Sequence, residues 1–317
     1  MEHHLPKANA QLADANRQLI EAEALRLGFA ACGFAAAEPV NEEMARKVDH
    51  WVELGYHADM TYMERNRELR FDPTLLVPGC RTLIVVALNY YPQQPLPKEG
   101  YQIAYYAYGK DYHRVVKDKL HQLLAYIRTL MPDVKGRAFC DTAPLLERYW
   151  AVKAGLGFIG RNRTLIIPGQ GSYCFLGVLA VDAELREEPH NVSASCEGCD
   201  RCLKACPTGA LTRDGIDCRR CLSYLTIEHR GPLPIDIRDK LGRRIYGCDT
   251  CQQACPHNSH PTPTSEPLFT LPPAIASLTP VQWQQLTPER YADLFSDSAI
   301  ERAGYEGLRR NIDAVAR

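Results

Sequence analysis

The residues most able to do chemistry are cysteines, and their spacing says which chemistry. Cys196, Cys199, Cys202 and Cys206, followed by Pro207, read C-x2-C-x2-C-x3-C-P. Three thiolates on so tight a loop suit three irons of one cubane, while the fourth reaches a neighbouring cluster. A second set follows in Cys221, Cys248, Cys251 and Cys255, then Pro256. Its last three members repeat C-x2-C-x3-C-P, with the leading cysteine displaced upstream by an insertion. The expected pairing is crossed: Cys196, Cys199, Cys202 and Cys255 for one 4Fe–4S cluster, Cys206, Cys221, Cys248 and Cys251 for the other. Cys218 is a rival to Cys221, which is preferred because Cys218 lies closer to the Thr212–Asp217 turn. Structural zinc would use C-x2-C pairs with a longer spacer. Disulfides would need an oxidising compartment, of which the opening Met1-Glu2-His3-His4-Leu5-Pro6-Lys7 gives no sign.

Three other features carry possible chemistry. Asp141 is expected at the end of a strand over Arg137–Cys140, ahead of a helix that starts at Pro144, and its plain role is to cap that helix. Gly155, Gly157 and Gly160 fit G-x-G-x-x-G, but they follow a helix where a dinucleotide fingerprint must follow a strand. No Rossmann site is expected, although such small residues would let a large planar cofactor approach the backbone. Between Arg219 and Arg244 stand seven basic residues against three acidic ones, in a chain whose net charge is −1. That insertion is tied at both ends to cluster loops, so it should overlook the redox site.

The elements that position these residues alternate along the first ~185 residues. A helix over 8–27 stops at Gly28, a short strand covers Phe29–Ala36, and Asn41 caps a second helix ending near Gly55. Thr82–Asn89 is the best central strand. Asp111 caps a helix to Met131 whose first-turn His113 reads as solvated, and Thr164–Ile167 with Ser172–Val181 reads as a hairpin around Pro168-Gly169-Gln170-Gly171. Pro261–Pro273 reads as a linker, and two short helices are expected in Thr287–Arg317. With 317 residues and 45% hydrophobic content, two or three units are expected. No apolar run approaches the ~20 residues that span a bilayer, and a cytoplasmic protein is expected.

The succession Asp141-Thr142-Ala143-Pro144, Lys153-Ala154-Gly155-Leu156-Gly157, Gly171-Ser172, the first cysteine run, Cys221-Leu222-Ser223-Tyr224-Leu225-Thr226-Ile227-Glu228 and Tyr246-Gly247-Cys248-Asp249-Thr250-Cys251 resembles the epoxyqueuosine reductases. The resemblance covers nearly the whole chain. It implies an α+β protein in three parts: a nitroreductase-like cobalamin-binding domain (1–188), a ferredoxin-like domain with two 4Fe–4S clusters (189–260), and a short helical C-terminal segment (261–317). Many members continue into HEAT-like repeats, and Arg302–Asn311 matches the beginning of that array. The implied reaction reduces epoxyqueuosine to queuosine at the wobble position of tRNA, with Asp141 as proton donor. That role would require a raised carboxyl pKa. The resemblance also implies Arg65, Asn162, Ser172, Ser223 and Asp249 as cobalamin contacts. Arg230, Arg243 and Arg244 are expected on tRNA phosphates, with an external low-potential donor of ferredoxin or flavodoxin type and a monomeric chain. A bare electron carrier would leave some 190 upstream residues without a task. A reductive dehalogenase would share the cofactors, but nothing here supplies a twin-arginine signal.

Overall fold

Thr82–Asn89 is apolar at nearly every position because it is buried on both faces. It is an inner strand of a four-stranded sheet ordered Ala31–Ala36, Thr82–Asn89, Cys174–Val181, Gly136–Phe139, with every neighbouring pair antiparallel. Alternate side chains serve opposite faces. Ile84, Val86 and Leu88 join Leu120, Leu123 and Ile127 of the helix Tyr112–Leu130, while Leu83, Val85 and Ala87 join Tyr149, Trp150 and Ala151. The computed structural model describes residues 7–185 and 194–316. Residues 1–6 and the expected boundary between 188 and 189 therefore lie outside the described residues.

Local signals placed several elements well. Asn41 caps the helix Glu42–Glu53 by accepting from the Met44 N–H, and Asp111 caps Tyr112–Leu130 by accepting from the His113 N–H. Others need correction. The helix expected from Pro144 begins at Glu147, with Leu146 at its cap position, so Asp141 does not cap it. The expected hairpin does not form either: Leu165–Ile166 pairs with Phe158–Ile159, and only Ile167 and Gly171 bridge across the turn. Cys174–Val181 goes instead to the main sheet, which buries both of its apolar faces. Gly157 is needed for that local pairing, since a Cβ there would lie 2.1 Å from the Ile166 carbonyl oxygen. Gly160 is crowded by the same residue, with the Ile166 side chain 2.5 Å from where its Cβ would lie.

The cysteine-bearing half is built from short helices, Arg201–Ala205, Leu222–Ile227 and Thr250–Gln253 among them, and a parallel pair of Gln102–Ile103 with Arg244–Tyr246. The two expected C-terminal helices are Pro288–Phe295 and Gly304–Val315. They bury Phe295, Leu308 and Ile312 in one core with Tyr108, Ile245 and Tyr246. The expected linker is also packed, for Phe269 lies in the main core with its ring 5.1 Å from that of Phe175. No described helix is long and apolar enough to cross a membrane.

Candidate active site

Asp141 follows the strand Gly136–Phe139 by two residues, in the left-handed region at φ +56°. Aspartate tolerates this region better than most residues. The turn is held by the Asp141 N–H, which donates to Glu147 Oε1 at 2.6 Å from the first turn of the next helix. It aims the carboxylate at the start of the helix Tyr112–Leu130. There the Tyr112 hydroxyl donates to Asp141 Oδ2, and His113 Nε2 stands 3.6 Å from the same oxygen. His113 Nδ1 contacts Asp111 Oδ1 at 2.6 Å, so the imidazole bridges two carboxylates. His113 is thus half-buried in the site rather than a solvated first-turn residue.

The electrostatics of this group differ from the expectation. Burial acts to raise the Asp141 carboxyl, but hydrogen bonds from His113 and Tyr112, with the His113 charge, hold it below the ordinary carboxylate value. The protons are kept by its neighbours. Burial and then the Asp141 charge push Glu147 up to about 8. Burial lowers His113, yet its contacts with Asp111 and Asp141 outweigh that and raise it to about 9. Asp141 retains 61% of its side-chain exposure and still feels strong desolvation, as a group on the floor of a cleft must. Tyr62 is alike: it is 47% exposed, but its hydroxyl is raised to about 12 by burial and by Glu228, with Asp141 and Cys218 also within electrostatic reach. Tyr62 thus stands between Asp141 and the Cys218–Cys221 segment in electrostatic terms.

Cys196, Cys199, Cys202 and Cys255 line a single cavity of about 70 Å³. In the other group, Cys221 feels Cys248 and Cys206, and Cys251 feels Cys248 and Cys221. Burial raises the Cys206 thiol, but backbone N–H groups of Leu211, Thr208 and Ala210 and the Thr208 hydroxyl reverse that and lower it, which favours thiolate. Cys218 is near Cys221 and beside Asp217, and burial drives its thiol up to about 12. Eight thiols are thus gathered in two groups of four, the ligand count of two cubanes. The donor set fits two clusters. Cys221→Ser is expected to lose about half of the iron, while Cys218→Ser keeps it all. Iron and sulfide analysis of the reconstituted variants checks this.

The remaining candidates fall into separate places. Asp249 is buried, accepts from the Tyr105 N–H at 2.7 Å, and is raised to about 6 by burial. It shares a polar cavity of about 200 Å³ with Lys98, Arg243, Arg244 and Cys248. Arg243 is exposed, whereas Arg244 is spent on the Leu241 carbonyl at 3.0 Å and Thr250 Oγ1 at 2.7 Å. Arg230 is spent too, donating to the carbonyls of Ile227, Ala303 and Arg302 at 2.9, 3.2 and 2.6 Å. Ser172 is buried between Gln252 Oε1 and Asn258 Nδ2, both at 2.9 Å. Asn162 lies in the Cys196 cavity, Ser223 follows Cys221 half-buried, and Arg65 is exposed.

A family model described as "Epoxyqueuosine reductase QueG, DUF1730" matches residues 70–142, and a "4Fe-4S double cluster binding domain" matches 195–258. The epoxyqueuosine reductase of Cellulophaga algicola is 42% identical over 296 residues, covering 93% of this chain and 96% of that one. The chain belongs to the epoxyqueuosine reductase family. The Escherichia coli epoxyqueuosine reductase is 37% identical over 94% of this chain and 80% of its own length. An epoxyqueuosine reductase structure from Streptococcus thermophilus aligns with TM-score 0.85 at 31% identity, over 94% of this chain and 80% of that one. Another, crystallised with an epoxyqueuosine-modified tRNA-Tyr stem loop, aligns with TM-score 0.87 at 28% identity, over 96% and 81%. Within this epoxyqueuosine reductase fold, Tyr62, Tyr112, His113 and Glu147 are the residues that sequence reasoning missed. The only local sign was the Asp-Tyr-His run at a helix start.

Proposed function

We propose that this chain reduces epoxyqueuosine to queuosine at the wobble position of tRNA, with cobalamin and two 4Fe–4S clusters, in the cytoplasm and as a monomer. The sheet half is read as nitroreductase-like over residues 1–188, the double-cluster half as ferredoxin-like over 189–260, and 261–317 as the helical segment. One observation carries the reading: Tyr62 lies within electrostatic reach of both Asp141 and Cys218, the neighbour of Cys221, so a proton site and a cluster group are near neighbours. The polar cavity of Asp249 and Arg243 is offered for the periphery of the cobalamin. Cobalamin, when bound, would supply low-potential electrons to the epoxide, with the clusters as one-electron feeders from a ferredoxin or flavodoxin type of donor.

The chain's own residues manage protons and position. Converting an epoxide to an alkene and water takes two electrons and two protons, which no side chain can supply as electrons. Asp141 is the group that faces the leaving oxygen in this reading, and His113 and Glu147 hold protons at neutral pH behind it. Filling the cleft strengthens the burial that already opposes Asp141 ionisation, which favours transfer of a proton onto its carboxylate.

Anaerobic incubation of the reconstituted protein with tRNA carrying epoxyqueuosine is expected to remove one oxygen from the nucleoside, read by mass spectrometry. No conversion under chemically supplied electrons would overturn the proposal. Arg243, exposed in the basic insertion, is the residue offered to a tRNA phosphate. Arg243→Ala is expected to flatten the log–log salt dependence of tRNA binding by about 0.7, the value for one single-strand phosphate contact. Arg230 and Arg244, held by carbonyls and Thr250, are expected to matter for folding before binding.

A further inference from the structure

Asn162 is 5% exposed and lines the cavity of Cys196, Cys199, Cys202 and Cys255. Its amide orientation is fixed by chemistry. Oδ1 accepts from the Thr164 backbone N–H at 3.3 Å and from Thr164 Oγ1 at 2.9 Å, and a backbone N–H can face only an acceptor. Nδ2 is therefore turned away from Thr164, and it is buried without any partner. A buried amide N–H with no acceptor is costly and calls for one that the protein chain does not supply. The position is built rather than incidental. Gly160 leaves room for this conformation, since a Cβ there would lie 2.7 Å from Asn162 Oδ1. The preceding Arg161 anchors the loop by donating to the Cys199 carbonyl at 2.7 Å and pairing with Asp200.

We infer that Asn162 donates its Nδ2–H to a sulfur of the cluster held by Cys196, Cys199, Cys202 and Cys255, and thereby raises the reduction potential of that cluster. The inference rests on the two-cluster reading above. Hydrogen bonds to cluster sulfurs stabilise the more negative, reduced state and so raise its potential. The Thr208 hydroxyl and backbone N–H groups already serve Cys206 in the other group, so the contribution of Asn162 is a shift of its own couple alone. Asn162 acts through the cluster, so it is a tuning residue rather than a catalytic one.

The test is an anaerobic redox titration of reconstituted protein followed by electron paramagnetic resonance. Two resolved couples in the wild type establish the clusters independently of any variant, and their absence would sink the two-cluster reading itself. Asn162→Leu removes the donor at similar volume. Asn162→Asp keeps an acceptor for Thr164, protecting the loop if the leucine variant fails to take up iron. Each is expected to move one couple to more negative potential and leave the other in place. The shift corresponds to an up to tenfold lower reduced-to-oxidised ratio at fixed potential, which is 59 mV for a one-electron couple. Iron content is expected to stay at the wild-type level in Asn162→Asp. Wild-type potentials for both couples in an iron-replete Asn162→Asp variant would overturn the inference, as would equal shifts in the two couples.

Discussion

Replacing Asp141 by Asn is expected to lower turnover by roughly 10²-fold or more, the scale on which positioned proton donors contribute, with cluster and cobalamin content unchanged. Asparagine keeps the shape and can still face Tyr112, but it cannot pass a proton. The pH profile makes the test sharper. Because the proton is held by Glu147 at about 8 and His113 at about 9, turnover is expected to persist at neutral pH and to fall as pH rises through 8 and 9. An isolated aspartic acid would already have lost its proton above its ordinary pKa of ~3.9. In His113→Gln the limb near 9 is expected to disappear, leaving the one near 8. Near-normal turnover of well-folded Asp141→Asn would remove Asp141 from the proton path, and a falling limb near pH 4 in the wild type would remove Glu147 and His113 from it.

How much of this was legible in the sequence depended on the range of the interaction. The cysteine runs were legible because a cluster ligand set is written at local spacing, and the Asn41 and Asp111 caps because they act over two or three residues. His113 and Asp141 meet only because the end of Gly136–Phe139 is laid beside the start of Tyr112–Leu130. Nothing near either residue records that. The raised pKa expected for Asp141 failed for the same reason, since the groups that lower it come from another element. The basic insertion was legible only as a charge count. A charge count treats all arginines alike, but Arg230 and Arg244 are occupied by the protein's own carbonyls and Thr250, while Arg243 stays exposed.

The C-terminal segment, read in sequence as a linker and two short helices, is expected to be required for the second cluster group. Asn311 is fully buried, and its Nδ2 donates to the carbonyls of Thr226 and Ile245, both at 2.8 Å. Thr226 belongs to the helix that follows Cys221, and Ile245 to the strand that leads to Cys248. One side chain thus ties together the two segments that deliver these thiols. Arg310 reinforces it, donating to Asn311 Oδ1 at 2.9 Å and to the Leu225 carbonyl at 2.8 Å. Asn311→Leu keeps similar volume but strands two buried carbonyls and removes the acceptor for Arg310. At ~1–3 kcal/mol for each unsatisfied group, the loss is about 2–6 kcal/mol, a large share of the ~5–15 kcal/mol that holds a domain folded. The variant is expected to lose the iron of the Cys206, Cys221, Cys248 and Cys251 group on mild chelation while the other group keeps its own. Retention of both at wild-type rates, with an unchanged unfolding midpoint, would show that the segment only leans on the cluster half rather than holding it together.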